Sequence, residues 1–182
     1  MNRKSTFKIV ITALFAALVC VATMFIRVPS PTGGYVNLGD GIVLLGAFLL
    51  GPVYGALAAG IGSMLADILA GYPAYAIGTL IIKAAVALVA GIIYKKISGG
   101  IACENESLNR HVLRIVVSAV CGEFIMVMGY FAYSGIFLSY GWGAAIEIPG
   151  NIIQSLFGII ISSVLTPVLL NSREIRKLLA AK

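Results

Sequence analysis

Three charged side chains lie deep inside apolar stretches of the sequence: Asp67, Lys83 and Glu123. A charge at the centre of a bilayer costs at least ~2.5 kcal/mol on insertion scales, so such residues usually serve a function and have a partner. Asp67 precedes Gly71 by four residues, and Lys83 follows Thr79 by four residues. Helical geometry puts each at about 6 Å from its helix end. We therefore expect an Asp67–Lys83 contact in a polar pocket, with a purely structural ion pair as the alternative.

Polar side chains also occur near the start of the last apolar segment and inside the fifth. Asn151 and Gln154 share one helical face and offer amide donors and acceptors to the edge of a heterocycle. Hydrogen bonding between helices, worth about 0.6 kcal/mol for each bond, is the alternative for these two amides. Glu123 could accept a hydrogen bond from a ligand, take up a proton or join two helices.

Aromatic residues concentrate in or near the loops that we assign to the outer side. Tyr35, Tyr75, Tyr130 and Trp142 are candidates for stacking on a ligand ring. The alternative is a belt of aromatic residues at the membrane interface. Asn37, in the same loop as Tyr35, completes the set of candidate substrate-binding residues.

The composition indicates an integral membrane protein. Hydrophobic residues make up 60% of the 182 residues, charged residues make up 11%, and the mean hydropathy is +1.02. A soluble domain is about one quarter charged. We expect residues 1–182 to form one all-α membrane domain surrounded by the lipid bilayer.

Six apolar segments are candidate transmembrane helices. They are Thr6–Arg27, Gly41–Leu50, Val53–Ala70, Thr79–Ile97, His111–Tyr133 and Pro149–Leu170. The Gly51-Pro52 pair is a turn signal that separates the second segment from the third. One long helix kinked at Pro52 is the alternative.

The basic residues predict the orientation of these six helices. They form three clusters at the ends of apolar segments: Arg3, Lys4 and Lys8; Lys95, Lys96, Arg110 and Arg114; and Arg173, Arg176, Lys177 and Lys182. Six alternating spans with both termini in the cytoplasm put all three clusters inside, as the positive-inside rule requires. Because no aromatic residues are interleaved with these clusters, the net charge of +6 does not indicate a nucleic-acid partner.

The loop after the first segment, Pro29–Asp40, contains two prolines and three glycines and therefore cannot be a plain helix. Val36 and Leu38 could form a short extended stretch. Asp40 suits the N-cap of the second helix.

Several kinds of chemistry have no support in the sequence. There is no Walker-type phosphate loop, so ATP hydrolysis of that kind is excluded. The three cysteines form no disulfide framework, and Cys103 falls in a polar loop. No zinc-ligand spacing is present, and the single His111 lies at a segment start. We predict no catalytic residues, no metal and no cofactor.

Ala13 and Ala17 form a small-xxx-small pair on the first segment. Such a pair lets another helix approach closely. On a lipid-facing first helix, it could dock another membrane protein.

These motifs together resemble a known family of membrane proteins. The residues Val36-Asn37-Leu38-Gly39-Asp40, Leu49-Leu50-Gly51-Pro52 with Gly55, Ala66-Asp67 and Thr79-Leu80-Ile81-Ile82-Lys83 resemble the S components of energy-coupling factor (ECF) vitamin transporters. The nearest group is named for riboflavin and includes pyridoxine- and hydroxymethylpyrimidine-type members. Ala13 and Ala17 match the family's first-helix motif, and Pro149, Asn151 and Gln154 resemble its sixth-helix start.

The resemblance implies a six-helix bundle with a vitamin pocket near the outer face, covered by the loop after the first helix. It also implies that transport needs a transmembrane coupling protein, docked at Ala13 and Ala17, and two cytosolic ATPases. For the cargo we favour a pyridoxine- or hydroxymethylpyrimidine-like molecule, with riboflavin next. An intramembrane enzyme that uses Glu123 or Asp67, and a homo-oligomeric channel, are the competing hypotheses.

Overall fold

A computed structural model describes residues 3–98, 108–172 and 175 of the chain, without the side chains of Arg3 and Lys4. Within these residues the chain forms six α-helices and a small hairpin. The elements are α1 (Arg3–Phe25), β1 (Arg27–Pro29), β2 (Tyr35–Asn37), α2 (Asp40–Leu50), α3 (Pro52–Ala70), α4 (Pro73–Ser98), α5 (Leu108–Ala132), a π-helical turn (Tyr133–Phe137), a 3-10 helix (Gly141–Glu147) and α6 (Ile148–Asn171). The predicted all-α membrane bundle is confirmed.

The boundaries differ from the predicted ones where loops acquire structure. β1 pairs with β2 in antiparallel register, Val28 opposite Val36, so α1 ends before Arg27. β2 includes Val36 but stops short of Leu38, which differs from the predicted extended stretch. α4 starts at Pro73 rather than at Thr79, because a proline fits the first turn of a helix.

α2 and α3 are two separate helices. Gly51, between them, has φ 86° and ψ 173°, a conformation that a residue with a Cβ rarely adopts. The alternative of one helix kinked at Pro52 is therefore wrong. α2 has 11 residues, which gives it a length of about 16 Å. The other five α-helices lie in segments long and apolar enough to cross a bilayer. The number of full spans and the cytoplasmic placement of both termini remain predictions.

α2 occupies the centre of the bundle. All of its residues except Ile42 are buried. It contacts α1, α3, α4 and α6, while α1–α3, α3–α4, α4–α5 and α5–α6 pack on one another around it. This arrangement explains how a short helix persists in a membrane domain: the surrounding helices shield its ends from lipid.

Large apolar side chains cover the outside of the helices. Leu14, Phe124 and Ile160 are each more than half exposed. On a soluble protein an apolar surface of this extent would promote association. On a membrane bundle it is the face that contacts lipid.

The two ends of the bundle have different chemistry. At one end, which we call the basic end, Lys8 lies 5.7 Å from the centre of the Tyr54 ring, and Tyr54 shares a cavity with Lys95. At the opposite end, which we call the hairpin end, the ring of Tyr35 in β2 lies 4.7 Å from that of Tyr72. This asymmetry agrees with a cytoplasmic basic end.

Some sequence predictions fall outside the described residues. They concern Cys103, the greater part of the loop between α4 and α5, and the C-terminal basic residues Arg173, Arg176, Lys177 and Lys182.

The packing of α1 on α3 depends on Gly62. A Cβ on Gly62 would overlap the carbonyl oxygen of Ala16, whereas a Cβ on Gly143 would meet nothing within 4 Å. We predict that Gly62→Ala lowers the unfolding free energy by about 1–3 kcal/mol, because the two backbones must separate.

Thermal unfolding in detergent measures this difference. Gly143→Ala, which adds the same methyl group in open space, is the matched control and should leave the melting temperature unchanged or slightly raised. Equal melting temperatures for the two variants would contradict close α1–α3 packing at Gly62.

Candidate functional site

A polar cavity lies at the hairpin end, between the hairpin and helices α3, α4, α5 and α6. The space between its walls measures about 490 Å³, including the part that opens to solvent. Only about 30 Å³ of this space has room for the centre of a water-sized sphere, so the walls must separate to admit a heterocycle. Eight predicted site residues line the cavity: Tyr35, Asn37, Asp67, Tyr75, Lys83, Tyr130, Asn151 and Gln154. The other lining residues are Thr23, Ser30, Gly34, Val36, Ser63, Thr79 and Glu147.

The buried cation of the site pairs with a different acid from the predicted one. Lys83 Nζ forms a salt bridge with Asp40 Oδ1, and both side chains are at most 2% exposed. The expected direct contact between Asp67 and Lys83 is therefore not formed, although both side chains line the same polar cavity. Asp40 is the first residue of α2, and its side chain makes no cap hydrogen bond, so its predicted N-cap role is wrong. The carboxylate is committed to Lys83, because an unpaired buried ammonium group would cost more free energy than an unmade cap.

Gln154 connects this ion pair to the hairpin. Its Nε2 donates to Asp40 Oδ2 at 2.6 Å, and its Oε1 accepts from the backbone N–H of Asn37 at 2.7 Å. Asn37 Oδ1 in turn accepts from the N–H of Gly39 at 2.9 Å. Gln154 therefore lines the cavity, but its amide nitrogen and its amide oxygen are both hydrogen-bonded to the protein.

Asp67 has a neutral partner. The phenol of Tyr35 donates to Asp67 Oδ1 at 2.6 Å, while Oδ2 is buried without a hydrogen bond. Burial, followed by the hydrogen bond to Asp67, raises the pKa of Tyr35 above its usual range, so the phenol remains a donor. The Thr79 hydroxyl lies near Asp67 but outside hydrogen-bonding geometry, and it shares a hydrogen bond of 3.0 Å with the Tyr130 phenol.

Aromatic side chains complete the wall on the α4 and α5 side. Lys83 Nζ lies 5.5 Å from the centre of the Tyr130 ring, within the range of a cation–π contact. Tyr75 is buried at the start of α4, where the early onset of that helix turns it toward the hairpin.

A second polar cluster, absent from the sequence predictions, closes the cavity. Glu147 Oε1 accepts hydrogen bonds from Thr32 and, at 3.0 Å, from the Tyr75 phenol. Its Oε2 accepts from the Ser134 hydroxyl at 2.8 Å. The cluster joins the hairpin loop to α4, the π-helical turn and the 3-10 helix. The sequence did contain a signal for this cluster. Glu147 is the one acidic residue in the apolar, aromatic loop just before Pro149.

Two predicted site residues lie away from the cavity. Trp142 is 88% exposed and contacts Phe131, with 6.3 Å between ring centres, so the prediction that it lines the pocket is wrong. Glu123 is buried outside the cavity wall, and neither of its carboxylate oxygens has a hydrogen-bond partner among the described residues. The nearby Ser155 hydroxyl donates instead to the Asn151 carbonyl at 2.8 Å.

Glu123 lies near Asp40 of the Lys83–Asp40 ion pair, outside the cavity wall. A Cβ on Gly158 of α6 would lie 2.8 Å from the Asp40 Cβ and 3.1 Å from Glu123 Oε1. Gly158 thus leaves the room in which the two acids face each other. Glu123 is buried near Asp40 and does not line the cavity.

The predicted docking pair lies on the outside of the bundle. Ala13 and Ala17 are exposed and line an open apolar groove between α1 and α3. The rest of the groove is formed by Ile9, Thr12, Ala16, Tyr54, Leu57, Ile61 and Leu65. No cluster of three or more His, Cys, Asp or Glu side chains that could hold a metal occurs in the described part of the chain.

Comparison with known proteins places this geometry in a family. The family model described as "ECF-type riboflavin transporter, S component" matches residues 3–171. The chain belongs to this family. The resemblance found in the sequence is thereby confirmed, and the chain is a multi-pass cell-membrane protein of a transporter family, not of an enzyme family.

Two relatives and one solved structure extend the comparison. A Pyrococcus woesei protein, described as an uncharacterized protein in a gap 3′ region, is 37% identical over 145 residues, 79% of this chain and 88% of its own. The thiamine precursor transporter HmpT of Lactococcus lactis subsp. cremoris is 29% identical over 172 residues, 93% of this chain and 91% of its own. A solved S component of a bacterial ECF transporter, 22% identical, shares the fold with a TM-score of 0.65 over 92% of this chain and 97% of that one.

The Lys83–Asp40 pair generates a stability prediction. Lys83→Met should lower the unfolding free energy by about 3–5 kcal/mol, because Asp40 would be left buried without a cation. Adding Asp40→Asn to Lys83→Met removes the stranded charge and should recover at least half of the loss. Chemical unfolding in detergent measures both variants. Equal losses in the single and double variants would contradict the pairing.

Proposed function

We propose that this chain is the substrate-binding S component of an ECF-type vitamin transporter. It captures a small heterocyclic vitamin or vitamin precursor from outside the cell and releases it inside with the help of ATP-driven partners. The observation that carries the proposal is the polar cavity at the hairpin end of a chain that belongs to the S-component family.

The position of the cavity supports capture from outside. It lies at the end opposite Lys8 and Lys95, and the positive-inside rule assigns those residues to the cytoplasm. The hairpin loop closes over it through Thr32 and Glu147. Because such contacts are hydrogen bonds between side chains and not a packed apolar core, the loop can release and admit a ligand.

The lining supports a small aromatic cargo with polar edges. Three tyrosine rings, Tyr35, Tyr75 and Tyr130, stand beside acids and amides. We favour a hydroxymethylpyrimidine- or pyridoxine-like molecule, with riboflavin next. HmpT, a relative over most of the chain, is a thiamine precursor transporter, which supports the pyrimidine.

The partners follow from the energy source. The sequence has no Walker-type phosphate loop, so ATP must be hydrolysed by other subunits. We propose a transmembrane coupling protein and two cytosolic ATPases. The groove at Ala13 and Ala17 would receive the coupling protein, because small residues there permit close helix packing.

Calorimetry tests the binding function. The purified chain in detergent should bind at least one of hydroxymethylpyrimidine, pyridoxine and riboflavin tightly without ATP or partners. An absence of binding to a complete panel of B vitamins and their precursors would overturn the proposal.

A transport assay tests the docking groove. Ala13→Trp and Ala17→Trp should each reduce vitamin uptake by cells at least about tenfold, because an indole fills the groove, while binding by the purified variants is unchanged. Leu14→Trp is the matched control, since Leu14 is 54% exposed on the same helix outside the groove. If the alanine variants lose vitamin binding itself, the face serves internal packing.

A further inference from the structure

Most polar groups of the cavity are already bonded to the protein. The side-chain amide of Gln154 is hydrogen-bonded to Asp40 and Asn37, and the phenol of Tyr75 is hydrogen-bonded to Thr32 and Glu147. The charge of Lys83 is balanced by Asp40. These groups shape the cavity, and the Gln154 amide and the Tyr75 phenol have little hydrogen-bonding capacity left for a ligand.

Two buried polar atoms in the cavity wall have no partner. They are Asp67 Oδ2 and Ser63 Oγ, on side chains 4% and 1% exposed. Both residues line the cavity, and they lie four residues apart on α3. Residues at this spacing are neighbours on one helix face, with about 5–6 Å between their Cβ atoms.

An unbonded buried carboxylate oxygen is costly, so its presence beside a cavity points to a ligand group that bonds it. Tyr35 already donates to Oδ1, which marks this carboxyl group as an acceptor. Ser63 can donate, because a hydroxyl group has one O–H. The α3 wall thus offers an acceptor beside a donor.

We infer that Asp67 and Ser63 together recognise an N–H group adjacent to a ring nitrogen, so that the cargo is an amino-substituted pyrimidine. Asp67 Oδ2 accepts from the amino group, and the Ser63 hydroxyl donates to the neighbouring ring nitrogen. This inference rests on the proposed function and narrows its cargo.

The same pair of atoms disfavours the other two candidates. The flavin edge presents an N–H between two carbonyl oxygens, which requires a donor on each side of the acceptor, and the Tyr35 donor is already bonded to Asp67. Pyridoxine has its ring nitrogen and its phenol oxygen at separate positions of the ring. Neither offers an amino group beside a ring nitrogen.

A pair of matched ligands tests the inference on the unaltered protein. Calorimetry compares the amino-substituted hydroxymethylpyrimidine that serves as a thiamine precursor with an analogue in which a carbonyl oxygen replaces the amino group. We expect the amino compound to bind about 10- to 100-fold more tightly, the range for one hydrogen bond to a charged group. Equal affinities, or tighter binding of pyridoxine or riboflavin, would overturn the inference and leave the vitamin-binding function standing. Binding of no vitamin would overturn both.

Two substitutions assign the discrimination to the wall of α3. Asp67→Asn replaces an acceptor by an amide that can turn a donor toward the ligand, so it should reduce the preference for the amino compound at least about tenfold. Ser63→Ala should weaken binding of the amino compound by a smaller factor. Melting temperatures establish that both variants are folded.

Glu147→Gln is the matched control for the acid-to-amide change. Glu147 also lines the cavity, but both of its oxygens are bonded to protein hydroxyl groups. The substitution can loosen the closing loop and weaken all ligands together, and the ratio of amino to carbonyl affinity should stay the same. A ratio that changes equally in the Glu147 and Asp67 variants would assign discrimination to the general charge of the cavity and contradict the inference.

Discussion

The buried ion pair between Lys83 and Asp40 is the interaction on which the rest of the structure depends. Neither charge could remain in the interior alone, so α4 and the start of α2 are held together. Gln154 adds α6 by bonding Asp40, and it adds the hairpin by accepting from Asn37. The N-terminus of α2 also favours a carboxylate at Asp40 through the helix dipole. Four elements thus meet at one neutralised pair, directly beneath the cavity.

The cavity combines two kinds of polar wall with different tasks. On the α2 and α6 side, Gln154 bonds Asp40, which in turn pairs with Lys83. On the α3 side, Asp67 and Ser63 keep one atom each without a partner. A satisfied network fixes the geometry, and an unsatisfied one provides the free energy that a ligand gains on binding. This division explains why a site with so many polar residues can still be selective.

The sequence predicted the bundle and most of the cavity wall because the bilayer restricts the choices. Long apolar segments must be helices, and charged residues within them must face a polar interior, as Asp67 and Lys83 do. Asp40 was misassigned because its position at a helix start fits an N-cap equally well. Only tertiary structure shows that it faces Lys83. Depth along a helix could not distinguish Asp40 from Asp67 as the partner of Lys83.

Loops were harder to predict because their conformation depends on contacts between distant residues. Glu147 bonds Thr32, 115 positions away, and no local pattern encodes that contact. Trp142 was assigned to the cavity by composition alone, since an aromatic residue near the outer face suits either a ligand or the membrane interface. Glu123 was assigned by its charge, although its place behind Asp40 depends on the absence of a side chain at Gly158.

The exposed position of Trp142 also determines what the intrinsic tryptophan fluorescence of this protein can measure. It is the chain's single tryptophan, and it is 88% exposed, outside the cavity at the hairpin end. The chromophores beside the cargo are tyrosines, so emission excited selectively from tryptophan does not sense the cavity directly. An indole on the outside of a membrane bundle responds to the depth of the surrounding headgroups. The emission of Trp142 therefore reports the depth of the hairpin end in the bilayer. It does not report whether a ligand occupies the cavity.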